Sequence, residues 1–230
     1  MGILGANMGT DCYTPALQIK GYKLERDNLM MMNTRTRTAV YISEGITYKR
    51  RTDLELLNTP LVCLEIKPDK KKSWLIMIGY RQFQCLSDDD KIKSVTMASQ
   101  LERFSKWCEL WKEAENTNKE LIITVDLNID VIPWSNPQTA LTENQKAKSK
   151  LLNLLKQTAN QLNLTLIKTP PTRFQGSDVP STIDIILTNK PDRISNTQLI
   201  QSSSDHKVVL FNKNMEKKGE PPTNKKSKEL

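Results

Sequence analysis

Seven short apolar runs, rich in β-branched and aliphatic side chains, punctuate the chain: Thr38–Ser43, Leu61–Lys67, Ser73–Gly79, Leu121–Val125, Leu164–Ile167, Ile183–Leu187 and Lys207–Phe211. Runs of this length between polar turn segments read as strands, and several are apolar on nearly every residue, as in strands covered on both faces. Only two segments carry a helical period. From about Lys91 to Ala114, Met97, Leu101, Phe104, Cys108 and Trp111 recur at steps of four and three. From Thr142 to about Asn163, Ala147, Leu151, Leu155, Ala159 and Leu162 share one face, and Thr142 with Gln145 makes a capping-box pattern. Two helices among seven or more strands predict a layered α/β domain. No repeat or linker interrupts residues 1–212, which read as one domain.

Charge and cysteine usage narrow the function classes. Against 26 acidic residues stand 34 Lys and Arg, a net charge of +8. Residues 213–230 hold six Lys, three Glu and Pro221-Pro222, a composition read as a basic disordered tail. Basic clusters at Lys49-Arg50-Arg51, at Arg35 with Arg37 and at Lys70-Lys71-Lys72 suit a polyanion such as nucleic acid, or serve solubility alone. No apolar run approaches the ~18 residues of a membrane span, and the first residues do not form a signal peptide. The expectation is an intracellular chain, neither secreted nor membrane-bound. Cys12, Cys63, Cys85 and Cys108 lie far apart and are expected to be reduced thiols, mostly buried. His206 is the only histidine, which excludes a multi-histidine zinc site.

Polar residues at the strand ends are the candidates for chemistry. Leu121–Val125 runs into Asp126-Leu127-Asn128, and residues two apart on an extended strand point the same way. A carboxylate beside an amide suits a cation-bound phosphate or a positioned water, although Asp and Asn at a strand end also serve simply as turn formers. Asp184 interrupts the apolar run Ile183–Leu187 and must have a partner there, either a structural ion pair or a functional one. Asp205-His206 precedes the last run, where an imidazole could share or move a proton.

The order Tyr80-Arg81, Asp126-x-Asn128, Ser181-x-x-Asp184, Ser204-Asp205-His206 resembles the endonuclease/exonuclease/phosphatase superfamily, the fold of deoxyribonuclease I and the exonuclease III-type abasic-site endonucleases. It is most similar to the endonuclease domain of non-LTR retrotransposon polyproteins; residues 19–26 and Ala39-Val-Tyr-Ile42 also look like that branch. The resemblance covers roughly residues 3–212 and implies a DNase I-like layered α/β sandwich and an Mg²⁺- or Mn²⁺-dependent phosphodiesterase acting on DNA. No small-molecule cofactor is implied, and the nucleus is the expected location if the substrate is chromosomal. By resemblance, Asp126 activates the attacking water, Asn128 and Tyr80 hold the phosphate, and His206 stabilises developing charge. Asp184 then orients His206, and Asp205 lies at the metal.

The front of the chain departs from the family pattern. Ile3 to Asn7 matches the family strand that ends in a metal-binding Glu, with Gly5 in its place and Asp11 the nearest spare carboxylate; the family's first strand, with its Asn, and its first helix have no counterpart. Glu65 is read as an ordinary strand-surface residue. The expectation is therefore an impaired, N-terminally truncated endonuclease, or else a catalytically inactive nucleic-acid-binding remnant. A phosphoinositide-type phosphatase of the same superfamily is the third reading, and a single histidine argues against it.

Overall fold

The computed structural model describes residues 2–4, 18–27, 37–57, 59–69, 71–81, 84–86, 92–94, 97–131, 143–174, 179–202 and 204–215. In chain order the elements begin with β1 (Gly2–Leu4), β2 (Tyr22–Arg26), β3 (Ala39–Ser43), β4 (Tyr48–Arg50), β5 (Leu61–Ile66) and β6 (Trp74–Tyr80). Next come β7 (Gln84–Leu86), β8 (Ile92–Ser94), α1 (Met97–Glu115), β9 (Glu120–Asp126) and α2 (Glu143–Gln161). β10 (Thr165–Leu166), β11 (Asp184–Thr188), β12 (Ile194–Ile200) and β13 (Val208–Lys213) follow.

A six-stranded sheet, ordered β10-β11-β9-β6-β5-β4, is the spine of the molecule. Within it only β6 and β9 run parallel, and the crossover between them contains α1. The central strands are apolar at both parities because both faces are covered. Leu75, Met77, Leu121 and Ile123 face the helices and pack with Phe104 and Trp111 of α1 and Leu151 and Leu155 of α2. Val62, Leu64, Ile76 and Ile78 point the other way and pack with Val40 and Ile42 of β3 and with Val209 and Phe211 of β13. That second layer consists of the sheet β1-β3-β2 and the hairpin β12-β13. The result is the layered α/β sandwich expected from the sequence.

Some boundaries differ from expectation. The helix read from Lys91 begins at Met97, because Ile92–Ser94 pairs with Gln84–Leu86 as a hairpin. Thr142, the proposed cap of α2, lies outside the described residues; the helix ends as expected, with Asn163 in the left-handed region (φ 52°) and the Leu164 N–H donating back to Ala159 O at 2.8 Å. The last strand runs to Lys213, whose Nζ lies 2.8 Å from Glu120, so the ordered chain passes the boundary drawn at residue 212.

Two of the three cations at 49–51 are taken up inside the fold, a correction to their reading as open positive surface. Arg50 on β4 donates to Glu25 of β2 at 3.0 Å and to Glu55 at 2.9 Å, tying the spine to the second layer. Arg51 pairs with Asp53 at 2.6 Å and with Glu65 at 3.3 Å. Glu65 is therefore not a strand-surface residue: it is buried, and it also meets Lys119 at 3.2 Å. Arg35 and Lys70 lie outside the described residues. Cys63 and Cys108 are free and buried, and burial pushes their thiols up to about 12 and about 11. Cys12 and the side chain of Cys85 lie outside the described residues.

Candidate active site

The register of the spine sets three of the candidate residues side by side. Tyr80, the last residue of β6, lies opposite Asp126, the last of β9, and Asp126 lies opposite Asp184, the first of β11. Tyr80 shares parity with Ile78, Asp126 with Ile122 and Asp184 with Ile186, and these three apolar residues all pack on the face away from the helices. A polar row thus continues an apolar face at the edge where it leaves the core.

His206 reaches this row from the connection between β12 and β13. Residues 172–174 carry it there: Lys207 N–H donates to Thr172 O at 2.7 Å and Phe174 N–H to Asp205 O at 2.8 Å. The same segment fixes Asp184, because the fully buried Thr172 accepts the N–H groups of Ile183 and Asp184 on Oγ1 at 3.3 and 3.2 Å. His206 Nδ1 then lies 3.0 Å from Asp184 Oδ2. One ligand atom each from Asp126, Asp184 and His206 falls within 4.8 Å of the others.

The electrostatics split these groups. Burial first, and then the neighbouring Asp184, push the Asp126 carboxyl up to about 6, while the Asn128 N–H, His206 and Arg81 pull it back. The hydrogen bond to Asp184 raises the pKa of His206 above the ordinary imidazole value. A carboxylate poised near neutrality beside an imidazole biased towards its cation is a base next to a charge stabiliser.

Asn128 sits differently from the strand-based expectation. The strand ends at Asp126, and Asn128 adopts a left-handed conformation (φ 51°). Its N–H donates to Asp126 Oδ1 at 2.9 Å, and its side-chain amide donates to Arg81 O at 3.1 Å. The pair thus forms a turn, and its contact to Asp126 runs through the backbone. Arg81, which sequence reading left without a role, is the buried post of this turn: its guanidinium donates to the carbonyls of Leu127 and Asn128 and to Gln100 Oε1 at 2.8 Å. Burial pulls its pKa down to about 10. Asp205 is not among the three clustered groups. It accepts from Arg173 Nε at 2.9 Å, which holds its carboxyl below the usual range. Gly5, Asn7 and Asp11 lie outside the described residues, although Gly2–Leu4 does pair with β3.

The family model described as endonuclease-reverse transcriptase matches residues 91–210, a span that holds Asp126, Asn128, Asp184, Asp205 and His206. The chain belongs to this family. Its fold is that of the DNase I-like endonuclease/exonuclease/phosphatase superfamily. The endonuclease domain of TRAS1, a telomere-specific non-LTR retrotransposon, is similar at a TM-score of 0.60 and 17% identity, over 86% of this chain and 83% of that one. An AP endonuclease of Leishmania major gives 0.60 at 10% identity, over 90% and 76%. A 3′ phosphatase from Neisseria, solved with a product DNA hairpin, gives 0.53 at 13% identity, over 90% and 86%. No protein of curated function matches the chain by sequence. Among the described residues no helix is long and apolar enough to cross a membrane.

Proposed function

We propose that this endonuclease-reverse transcriptase family chain is a divalent-cation-dependent DNA endonuclease of non-LTR retrotransposon origin. One observation carries the reading: the 3.0 Å His206–Asp184 pair standing beside the perturbed carboxyl of Asp126. In-line hydrolysis of a phosphodiester needs an aligned water and a means of stabilising charge on the phosphoryl oxygens. Asp126 takes the water's proton. The imidazolium of His206, oriented by Asp184, donates to a phosphoryl oxygen, and the family resemblance assigns Tyr80 and Asn128 to holding the phosphate.

The donor set fits a hard cation. Carboxylate oxygens of Asp126 and Asp184 converge, and Asp205, kept ionised by Arg173, stands on the residue next to His206. Such ligands favour Mg²⁺ or Mn²⁺ over zinc, and the ion would supply neutralising charge at the phosphate. Family membership and the likeness to the TRAS1 endonuclease domain support DNA as substrate and a retroelement origin.

Nicking of supercoiled plasmid tests this. Activity should require Mg²⁺ or Mn²⁺ and vanish in EDTA. Asp126→Ala and His206→Ala should each lower turnover by at least about 100-fold with DNA affinity nearly unchanged. Nicking that persists in EDTA, or in both variants, would overturn the assignment. Gly5, in place of the family Glu, favours a second reading, a nucleic-acid-binding chain with little turnover. DNA binding without cation-dependent nicking would select it.

A further inference from the structure

Arg37 has a place in this site that family resemblance did not assign. Its backbone is fixed at the mouth of the row. The buried carboxylate of Asp27 accepts the N–H of Arg37 at 2.9 Å and of Thr38 at 2.6 Å. Thr38 Oγ1 donates to Pro60 O at 3.0 Å, the same carbonyl that accepts the Tyr80 N–H at 2.9 Å. One acceptor therefore locks the base of Arg37 to the end of β6. The guanidinium lies over the Tyr80 ring, 5.5 Å from its centroid.

Four other arginines among the described residues are engaged within the chain. Arg50, Arg51 and Arg173 each face a carboxylate, and Arg81 holds backbone carbonyls. Arg37 Nε is buried and makes no hydrogen bond among the described residues. A buried donor without an acceptor is costly, and a charged planar fork is matched by phosphate oxygens. Tyr80 and Asp184 close opposite ends of the row, two strand spacings apart, which at ~4.8 Å per spacing is about 10 Å. His206 stands at the Asp184 end and Arg37 at the Tyr80 end.

We propose that Arg37 contacts a backbone phosphate flanking the scissile one, with Tyr80 as its platform. The assignment rests on the phosphodiesterase reading for its substrate, but its test stands apart. The wild-type chain, Arg37→Met, Arg37→Lys and a charge control, Lys150→Gln on the exposed face of α2, are compared in two assays. Duplex DNA affinity is titrated against salt in EDTA, and plasmid nicking is followed in Mg²⁺.

Arg37→Met should lower the slope of log affinity on log salt by about 1, as for one lost phosphate contact. It should also raise KM about tenfold with kcat within about twofold, as losing a charge-assisted hydrogen bond to a bound phosphate predicts. Arg37→Lys should keep the slope while recovering only part of KM, and Lys150→Gln should change neither. A slope unchanged in Arg37→Met, with only the thermal midpoint reduced, would make Arg37 a buttress of Tyr80 and overturn the proposal. If Arg37→Met does not fold, Arg37→Lys decides, and kinetics identical to wild type refute the contact. Wild type that binds without nicking, with the slope still falling in Arg37→Met, would uphold the contact and sink the phosphodiesterase reading instead.

Discussion

Burial and the neighbouring Asp184 hold the Asp126 carboxyl at about 6, against 3.8 for an ordinary aspartate. Between those values the folded chain binds more protons than the unfolded one. Stability from this group is therefore complete below about pH 4, falls as pH rises through 6, and stays low above it. Asp126→Asn removes the titration and keeps the acceptor for the Asn128 N–H. In EDTA the variant should be more stable than wild type above pH 7, by at most about 3 kcal/mol, and level with it below pH 4. Urea unfolding across that range is the measurement. A gain independent of pH would mean that the Asp126 charge is not strained. Much of this site was legible residue by residue, because Asp126, Asp184 and His206 are unusual where they stand. Their supports were not. Thr172 acts on Asp184 through two backbone N–H groups, and Arg81 holds a turn 46 residues further along, contacts that leave no local pattern. Thr172→Val should cost about 1–3 kcal/mol, since it leaves buried N–H groups without an acceptor. It should also slow nicking by displacing Asp184. Loss of stability with full kcat would deny that positioning role.

Among the strands, those carrying an apolar run were readable, the half-exposed β10 and β13 included, and those without one were not. β2 and β4 are short and rich in charge, Tyr22–Arg26 and Tyr48–Arg50, and one charge of each is paired across layers, Glu25 with Arg50. No apolar run announces such strands. β12 has no apolar run either: four polar residues separate Ile194 from Leu199-Ile200, and a bulge between Ser195 and Gln198, with Asn196 at φ 52°, shifts its pairing with β13. A tight contact between elements was also beyond sequence reading. Gly79 of β6 faces α1, and an added Cβ would lie 2.8 Å from Trp107 Cη2 and 3.2 Å from Leu61 Cδ1. The glycine lets the helix seat its indole directly on the strand that carries Tyr80. Gly79→Ala should cost about 1–3 kcal/mol by overpacking. The double variant Gly79→Ala with Trp107→Leu should recover part of that loss relative to Trp107→Leu alone. Thermal unfolding of the four chains checks the coupling, and strictly additive midpoints would show that the contact relaxes freely.

For the whole molecule, net charge overstates the surface available to a polyanion. The formal +8 includes Arg50 and Arg51, which the sequence alone shows only as part of a basic run. In the fold Arg50 neutralises Glu55, whose side chain has no exposure, and helps to hold Glu25. Lys213, the first residue of the sequence-defined tail, is bound to Glu120 and lies over Trp74. DNA binding should therefore depend on fewer cations than the sequence displays. With about four phosphate contacts, affinity would fall on the order of 100-fold between 50 and 200 mM salt. Arg50→Gln and Arg51→Gln should leave that slope unchanged, in contrast to Arg37→Met. Arg50→Gln should instead destabilise the fold by about 3 kcal/mol, the low end of what breaking a buried pair costs, because Arg50 is partly exposed. Removing residues 216–230, which lie outside the described part of the chain, should weaken retention on DNA without changing the rate of nicking. Salt titrations and thermal midpoints of the same proteins decide the matter. If Arg50→Gln flattened the salt dependence while leaving the midpoint untouched, the pairings with Glu25 and Glu55 would not be the ones that matter, and the 49–51 run would be a DNA-facing surface after all.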